Sequence, residues 1–226
     1  MLNRSGPFMR APRELLIVGT GGLAKEAAQL ARQCDPDATH WDKIHYVAES
    51  KEMVGAVLPY GVVRYIDADL ECRSGECDVV IAIGYPRPRR HVSQRLARNP
   101  ALAFPNLIHP SVFIDSKFVS LGRGNMIATG AVLTCDVTLG DFNLVNWNVT
   151  IGHDARLGSC NVLNPSSNLS GNTVVGDACL LGTGCQILEQ LSVASDCTIG
   201  AGAVVTRSIS VPGGTYVGIP ARLFVR

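Results

Sequence analysis

The 226-residue sequence predicts a small Rossmann-like α/β domain followed by a left-handed parallel β-helix of hexapeptide repeats. Over residues 13–105, short apolar runs alternate with helix-forming stretches, separated by glycine turns. From Leu121 to Leu223 every sixth residue is aliphatic. Composition shifts at the same seam: residues 121–226 hold 15 of the 23 glycines, but only 11 of the 39 charged side chains and no lysine.

Residues 1–12, MLNRSGPFMRAP, lack the apolar core of a signal peptide and read as a flexible N-terminus. The α/β domain is expected over 13–105. It opens with an apolar strand at 14–18 (ELLIV), turns through Gly19, Thr20, Gly21 and Gly22, and continues into a helix of strong formers, LAKEAAQLARQ. Further strands are expected at 44–48, 62–66 and 78–83, the last reaching Gly84, with a closing helix after Pro88 through 90–99. This alternation implies a parallel sheet, in which ligands bind beyond the carboxyl ends of the strands. Pro100, Pro105 and Pro110 then end the helical pattern.

The second domain is expected over 106–226. Eighteen consecutive positions spaced six residues apart are Leu, Ile or Val, a period that fits neither an amphipathic helix nor a hairpin strand. Such a period fits a triangular β-helix, three hexads to a coil, with coils stacked ~4.8 Å apart. The aliphatic residue points inward. Glycine after it allows the tight bend, and a small residue four positions after it (Ala131, Ala155, Ala203) packs alongside.

With 20 basic and 19 acidic side chains, no excess charge is available to draw nucleic acid or a membrane surface. No apolar run reaches the roughly 18 residues that span a bilayer, and the chain reads as cytoplasmic. The eight cysteines show neither CxxC pairs nor zinc-ligand spacing, so they are expected as reduced thiols, with Cys179, Cys185 and Cys197 on inward positions. His153 is the one histidine of the repeat region, followed by Asp154 at a corner of its hexad. His109, at the junction, reads as structural, and His40, His45 and His91 lie away from the repeats. One histidine cannot build a multi-histidine metal site, so no metal is expected.

The segments NLIHPS, NWNVTIGHD, LSGNTVVGD and GAGAVVTRSISVPGGTYVGIPAR, together with IVGTGGLAKE and VVIAIG near the start, resemble the sialic-acid O-acetyltransferase-like family of hexapeptide-repeat acetyltransferases. That family includes bacterial N-acetyltransferases of nucleotide-linked 4-amino-4,6-dideoxy sugars. The resemblance implies direct transfer from acetyl-CoA in surface-glycan biosynthesis, by a homotrimer with active sites between subunits. It maps the catalytic pair onto His153 and Asp154. Imidazole, with a pKa of ~6.5, suits removal of a proton from an attacking amine, and the carboxylate orients the ring. A backbone N–H near Gly171 is the candidate oxyanion donor.

By the same resemblance, acetyl-CoA contacts fall on Ser170, Gly171, Gly182, Thr183, Ala201, Pro220 and Arg222. The nucleotide-sugar meets Gly19, Gly21, Gly22, Glu49, Gly84 and Asn146. The chain departs from the family pattern at two positions, carrying Leu23 and Val162 where related enzymes often have histidine.

Other readings stay open. GTGGLA also matches a GxGxxA dinucleotide fingerprint, but the next suitable acid, Glu49, lies 28 residues past Gly21, against about 20 expected. O-acetylation of sialic acid or a related sugar is an alternative, as is a non-catalytic, nucleotide-binding scaffold.

Overall fold

A computed structural model describes residues 13–225; the expected flexible N-terminus, residues 1–12, and Arg226 lie outside the described residues. The α/β unit runs β1 (Arg13–Val18), α1 (Gly22–Cys34), β2 (Trp41–Ala48), β3 (Val57–Leu58), β4 (Gly61–Ile66), α2 (Asp67–Glu71), β5 (Cys77–Ile81), α3 (Pro86–Leu96) and β6 (Leu102–Ala103). Its sheet has the order β3-β4-β2-β1-β5-β6, parallel except for the short edge strand β3. Alternate residues of β1 face opposite ways. Leu15 and Ile17 join one apolar cluster with α1, while Leu16 and Val18 join another with α2 and α3.

The closing helix starts at Pro86 rather than after Pro88. Proline is compatible with a first helical turn, whose N–H groups have no acceptor within the helix, so Pro86 and Pro88 belong inside it.

The remainder is the expected left-handed parallel β-helix. Strand pairs recur at a register of 18 residues, as in Leu144 with Val162 and Thr150 with Asn168. Three faces result. One face, with Leu107, Met126, Leu144 and Val162, packs against α1 and the central sheet. The second carries Thr150–Ile151 and Asn168–Leu169, and the third carries Arg156–Leu157 and Val174–Val175.

From Leu121 to Val205 the six-residue ladder points inward as expected. Its last three rungs do not: Val211, Val217 and Leu223 are exposed at 66%, 38% and 54%. The repeat shortens there. Ile209 pairs with Val193, and Thr215 with Thr198, so the 18-residue register is lost and Ile209 takes the buried place.

The bends also differ from expectation. The turn is made by the fourth residue of each hexad, in left-handed conformation and often not glycine, as at Asp136, Asn148, Asp154 and Asn172. Asn and Asp tolerate this region better than most side chains. Glycine at the second position serves close stacking instead: a Cβ on Gly182 would stand 2.5 Å from the Ala201 nitrogen of the next coil.

A buried asparagine ladder supports the edge beside α3. Oδ1 of Asn106, Asn125 and Asn143 accepts the backbone N–H of the residue 18 or 19 positions on, and Asn161 continues the series to Cys179. Arg89, fully buried, ties this edge to the α/β unit. Its guanidinium donates to the carbonyls of Ile81 and Ile83 on one side and of Phe142 and Asn143 on the other. All eight cysteines are free, and burial pushes the Cys179 and Cys185 thiols up to about 12.

Candidate active site

The β-helix has three edges, and each candidate residue falls on a definite one. The edge with Phe142, Cys160 and Asp196 lies under α3, where Ser93 meets Cys160 and Arg90 pairs with Asp196. The edge with Asn146 and Trp147 borders α1 across a small cleft. His153 lies on the remaining edge, one coil beyond Cys135 and one coil before Gly171.

His153 and Asp154 sit at a corner because Asp154 takes the left-handed turn position, with φ at 59°. The local chain is held by backbone bonds from Asp154 N–H to Cys135 O and from Asn172 N–H to His153 O. Asp154 Oδ2 lies 2.8 Å from His153 Nδ1. With Nδ1–H donated to that carboxylate, Nε2 carries the free lone pair, on a side chain that is 58% exposed. Gly171 covers the ring closely. A Cβ there would lie 2.5 Å from Nε2 and 2.6 Å from Cε1, so glycine is required for the imidazole to keep this position. The Gly171 N–H has no acceptor among the described residues.

The other expected acyl-donor contacts do not share one edge. Ser170 and Gly171 neighbour His153, whereas Gly182, Thr183 and Ala201 stack on the Asn146 edge. Pro220 and Arg222 belong to the closing segment: Ala221 N–H donates to Val204 O on the second face, and Arg222 pairs antiparallel with Val217 at the end of the first-face sheet. Val162 is fully buried between the β-helix and the α/β unit, paired with Leu144 and Leu180, and does not lie on His153's edge. It therefore has no direct bearing on contacts around His153.

In the α/β unit, a cavity of about 430 Å³ opens at the carboxyl ends of β1 and β2, lined by Gly19, Thr20, Glu49, Asp67, His91 and Arg95 among others. Gly19 is required there: its φ is +126°, and a Cβ would meet Ala82 O at 2.8 Å. Gly21 caps α1, and a Cβ on Gly21 or Gly22 would meet nothing, which leaves the helix N-terminus accessible. Gly84 borders Leu23 rather than this cavity. His91, which the sequence left aside, lines it, because α3 turns that side chain toward the strand ends. The pattern of proline and arginine in α3 carried no signal for this.

Asn146 lies in the separate cleft beside α1 with Leu23. Thus one copy of the chain does not bring His153 together with either acceptor cavity. Among the described residues, no cluster of three or more potential metal ligands occurs, and no helix is long and apolar enough to cross a membrane.

Comparison with known proteins follows the same division. The bacterial transferase hexapeptide (six repeats) family model matches residues 172–207, and the PglD N-terminal domain model matches 14–96. The acetyltransferase domain of PglB from Neisseria gonorrhoeae FA1090, solved with acetyl coenzyme A, is 31% identical over 94% of this chain and 100% of its own, with a TM-score of 0.84. The chain belongs to the hexapeptide-repeat acetyltransferases.

PerB from Caulobacter crescentus, solved with CoA and GDP-perosamine, is similar at 29% identity, covering 94% of this chain and 97% of its own, with a TM-score of 0.82. WeeI from Acinetobacter baumannii AYE is 25% identical, covering 93% of this chain and 99% of its own, with a TM-score of 0.81. No curated protein sequence matches the chain.

Proposed function

We propose that this acetyltransferase moves the acetyl group of acetyl-CoA to the amine of a nucleotide-linked 4-amino-4,6-dideoxy sugar, with His153 as general base, in surface-glycan biosynthesis. The observation that carries the reading is the His153–Asp154 pair at 2.8 Å, with Nε2 free at an open corner beneath Gly171. The likeness to PerB, solved with CoA and GDP-perosamine, supports this acceptor class.

Acetyl-CoA supplies an activated thioester from the cytoplasmic pool. As the acceptor nitrogen attacks, Nε2 of His153 takes its proton, and Asp154 stabilises the resulting imidazolium through Nδ1–H. The Gly171 N–H offers a hydrogen bond to the developing oxyanion, and the imidazolium can return its proton to the departing sulfur. Ser170, Gly182, Thr183, Ala201, Pro220 and Arg222 would hold the acyl donor, largely through backbone groups.

For the acceptor, the diphosphate would sit on the α1 N-terminus at Gly21 and Gly22, with Gly19 and Glu49 beside the nucleoside and Gly84 beside Leu23, toward the cleft that takes the sugar. The sugar would reach toward Asn146. Because His153 and Asn146 occupy different edges of one β-helix, the reading requires a second copy, and a homotrimer sets the His153 edge of one protomer against the Asn146 edge of its partner.

Turnover tests this directly. Purified protein is incubated with acetyl-CoA and a panel of UDP-, dTDP- and GDP-linked 4-amino sugars, free sialic acid and CMP-sialic acid, while thiol release is followed. Turnover with an amino sugar and with neither sialic acid is expected. Turnover with sialic acid alone would replace the reading by O-acetylation.

A further inference from the structure

We propose that Glu26 is the carboxylate that recognises the ammonium group of the acceptor sugar, and thereby sets the preference for amino over hydroxy sugars. The inference rests on the nucleotide-amino-sugar reading above and assigns a recognition residue within it.

Glu26 lies on α1, one turn after Gly22, and lines the cleft of about 120 Å³ between that helix and the β-helix edge. The partly or fully buried carboxylates among the described residues are Glu14, Glu26, Asp35, Asp67, Asp78, Asp141 and Asp196. Six of these are matched: Glu14 by Arg73, Asp67 by Arg95, Asp78 by Arg13 and Trp41, Asp141 by Arg123, Asp196 by Arg90, and Asp35 by the backbone of residues 39–41. Among the described residues, Glu26 has neither a cation nor an N–H donor. A partly buried carboxylate left without a partner carries a cost in the folded state, and burial accordingly raises its pKa. An incoming cation removes that cost.

The remaining lining fits a sugar. Asn146 Oδ1 accepts the Trp147 N–H, which leaves the Asn146 Nδ2 group free to donate to a hydroxyl. Trp147, 42% exposed, offers a flat apolar surface, and Met126 and Leu144 close the floor. Thr20, at the nucleoside cavity, and Leu23, in this cleft, are separated only by Gly21 and Gly22. One ligand can therefore lie across the glycine turn with its nucleoside in one cavity and its sugar in the other. The amine is recognised as an ammonium ion on binding. Glu26 then contributes to acceptor affinity; the ammonium gives up one proton to solvent before it can attack, and the neutral amine gives up its second to His153 Nε2 as the C–N bond forms.

The test compares GDP- and UDP-linked 4-amino-6-deoxy sugars with the matching 4-hydroxy sugar nucleotides, by titration calorimetry on wild type and Glu26→Gln. Wild type is expected to bind the amino form about 10- to 100-fold more tightly, the range for one charge-assisted hydrogen bond. In Glu26→Gln that gap should close to within about threefold. The variant's acceptor KM should rise by a similar factor, with no fall in kcat, since the unpaired amine loses its proton more readily, and with the KM for acetyl-CoA little changed. No amino preference in wild type, or an undiminished preference in folded Glu26→Gln, overturns the assignment while leaving the nucleotide-sugar reading standing. Failure of every sugar nucleotide to bind wild type overturns that reading, and the assignment with it.

Discussion

Gly171→Ala isolates the geometry around the His153 imidazole. The added Cβ would stand 2.5 Å from His153 Nε2, whereas non-bonded heavy atoms rest at about 3.5–4.0 Å. Ring or methyl must therefore yield by about 1 Å or more. Gly171 does not occupy the left-handed region, so alanine imposes no backbone strain. The ring, 58% exposed, is the part able to move, and it does so by weakening its 2.8 Å contact with Asp154. A misplacement of about 1 Å in a reacting group costs about 10²-fold. We expect kcat to fall by about 10²- to 10³-fold, with a melting temperature within about 2 °C of wild type, measured by thiol release and calorimetry. Gly75→Ala, where a Cβ meets nothing, is the matched control and should be silent. Undiminished kcat in Gly171→Ala would refute the placement of the imidazole beneath this residue.

Three further outcomes follow from the structure. Arg89→Met leaves the carbonyls of Ile81, Ile83 and Phe142 without their buried donor, while Asn143 O keeps the Met126 N–H; at ~1–3 kcal/mol per orphaned group, partly relieved by relaxation, thermal unfolding should show a loss of about 3 kcal/mol. His45 has its pKa lowered, chiefly by burial and further by Arg64, Arg73 and Lys43 against an opposing pull from Glu14. The unfolded chain therefore binds the His45 proton more readily, this contribution to stability fades as pH falls below about 6.5, and His45→Gln should show a smaller drop in melting temperature between pH 7.5 and 5.5. Thiol labelling of native protein should modify exposed Cys72, while Cys179 and Cys185, with thiols pushed up to about 12, react only after unfolding.

Periodicity made the β-helix legible because each inward rung is a local choice repeated in sequence. Where the coil shortens after Val205, the same spacing continued to produce aliphatic residues at Val211, Val217 and Leu223, although the chain no longer turned them inward. Nothing local distinguishes those rungs from the earlier ones. The bends were misplaced for a related reason. Glycine is conspicuous at the second position, but the backbone turns at the fourth, where Asn and Asp serve as well.

The His153–Asp154 corner could be anticipated from an isolated histidine and the family resemblance. Its cover by Gly171 depends on an 18-residue stacking that becomes visible only once the coil is built. Long-range placements left little trace in sequence: Arg89 reads as one of several arginines in PRPRRH, yet it alone is fully buried. Glu26 likewise reads as a helix-surface acid until α1 is packed beside Asn146 and Trp147.

Steady-state acetyl transfer by His153→Asn, with a nucleotide-linked 4-amino sugar as acceptor, decides whether His153 is the base. Asparagine keeps a polar side chain at the corner but cannot take a proton at neutral pH. With His153 as the base, kcat falls by ~10²- to 10⁴-fold while both substrates still bind. Wild-type turnover in that variant would contradict it.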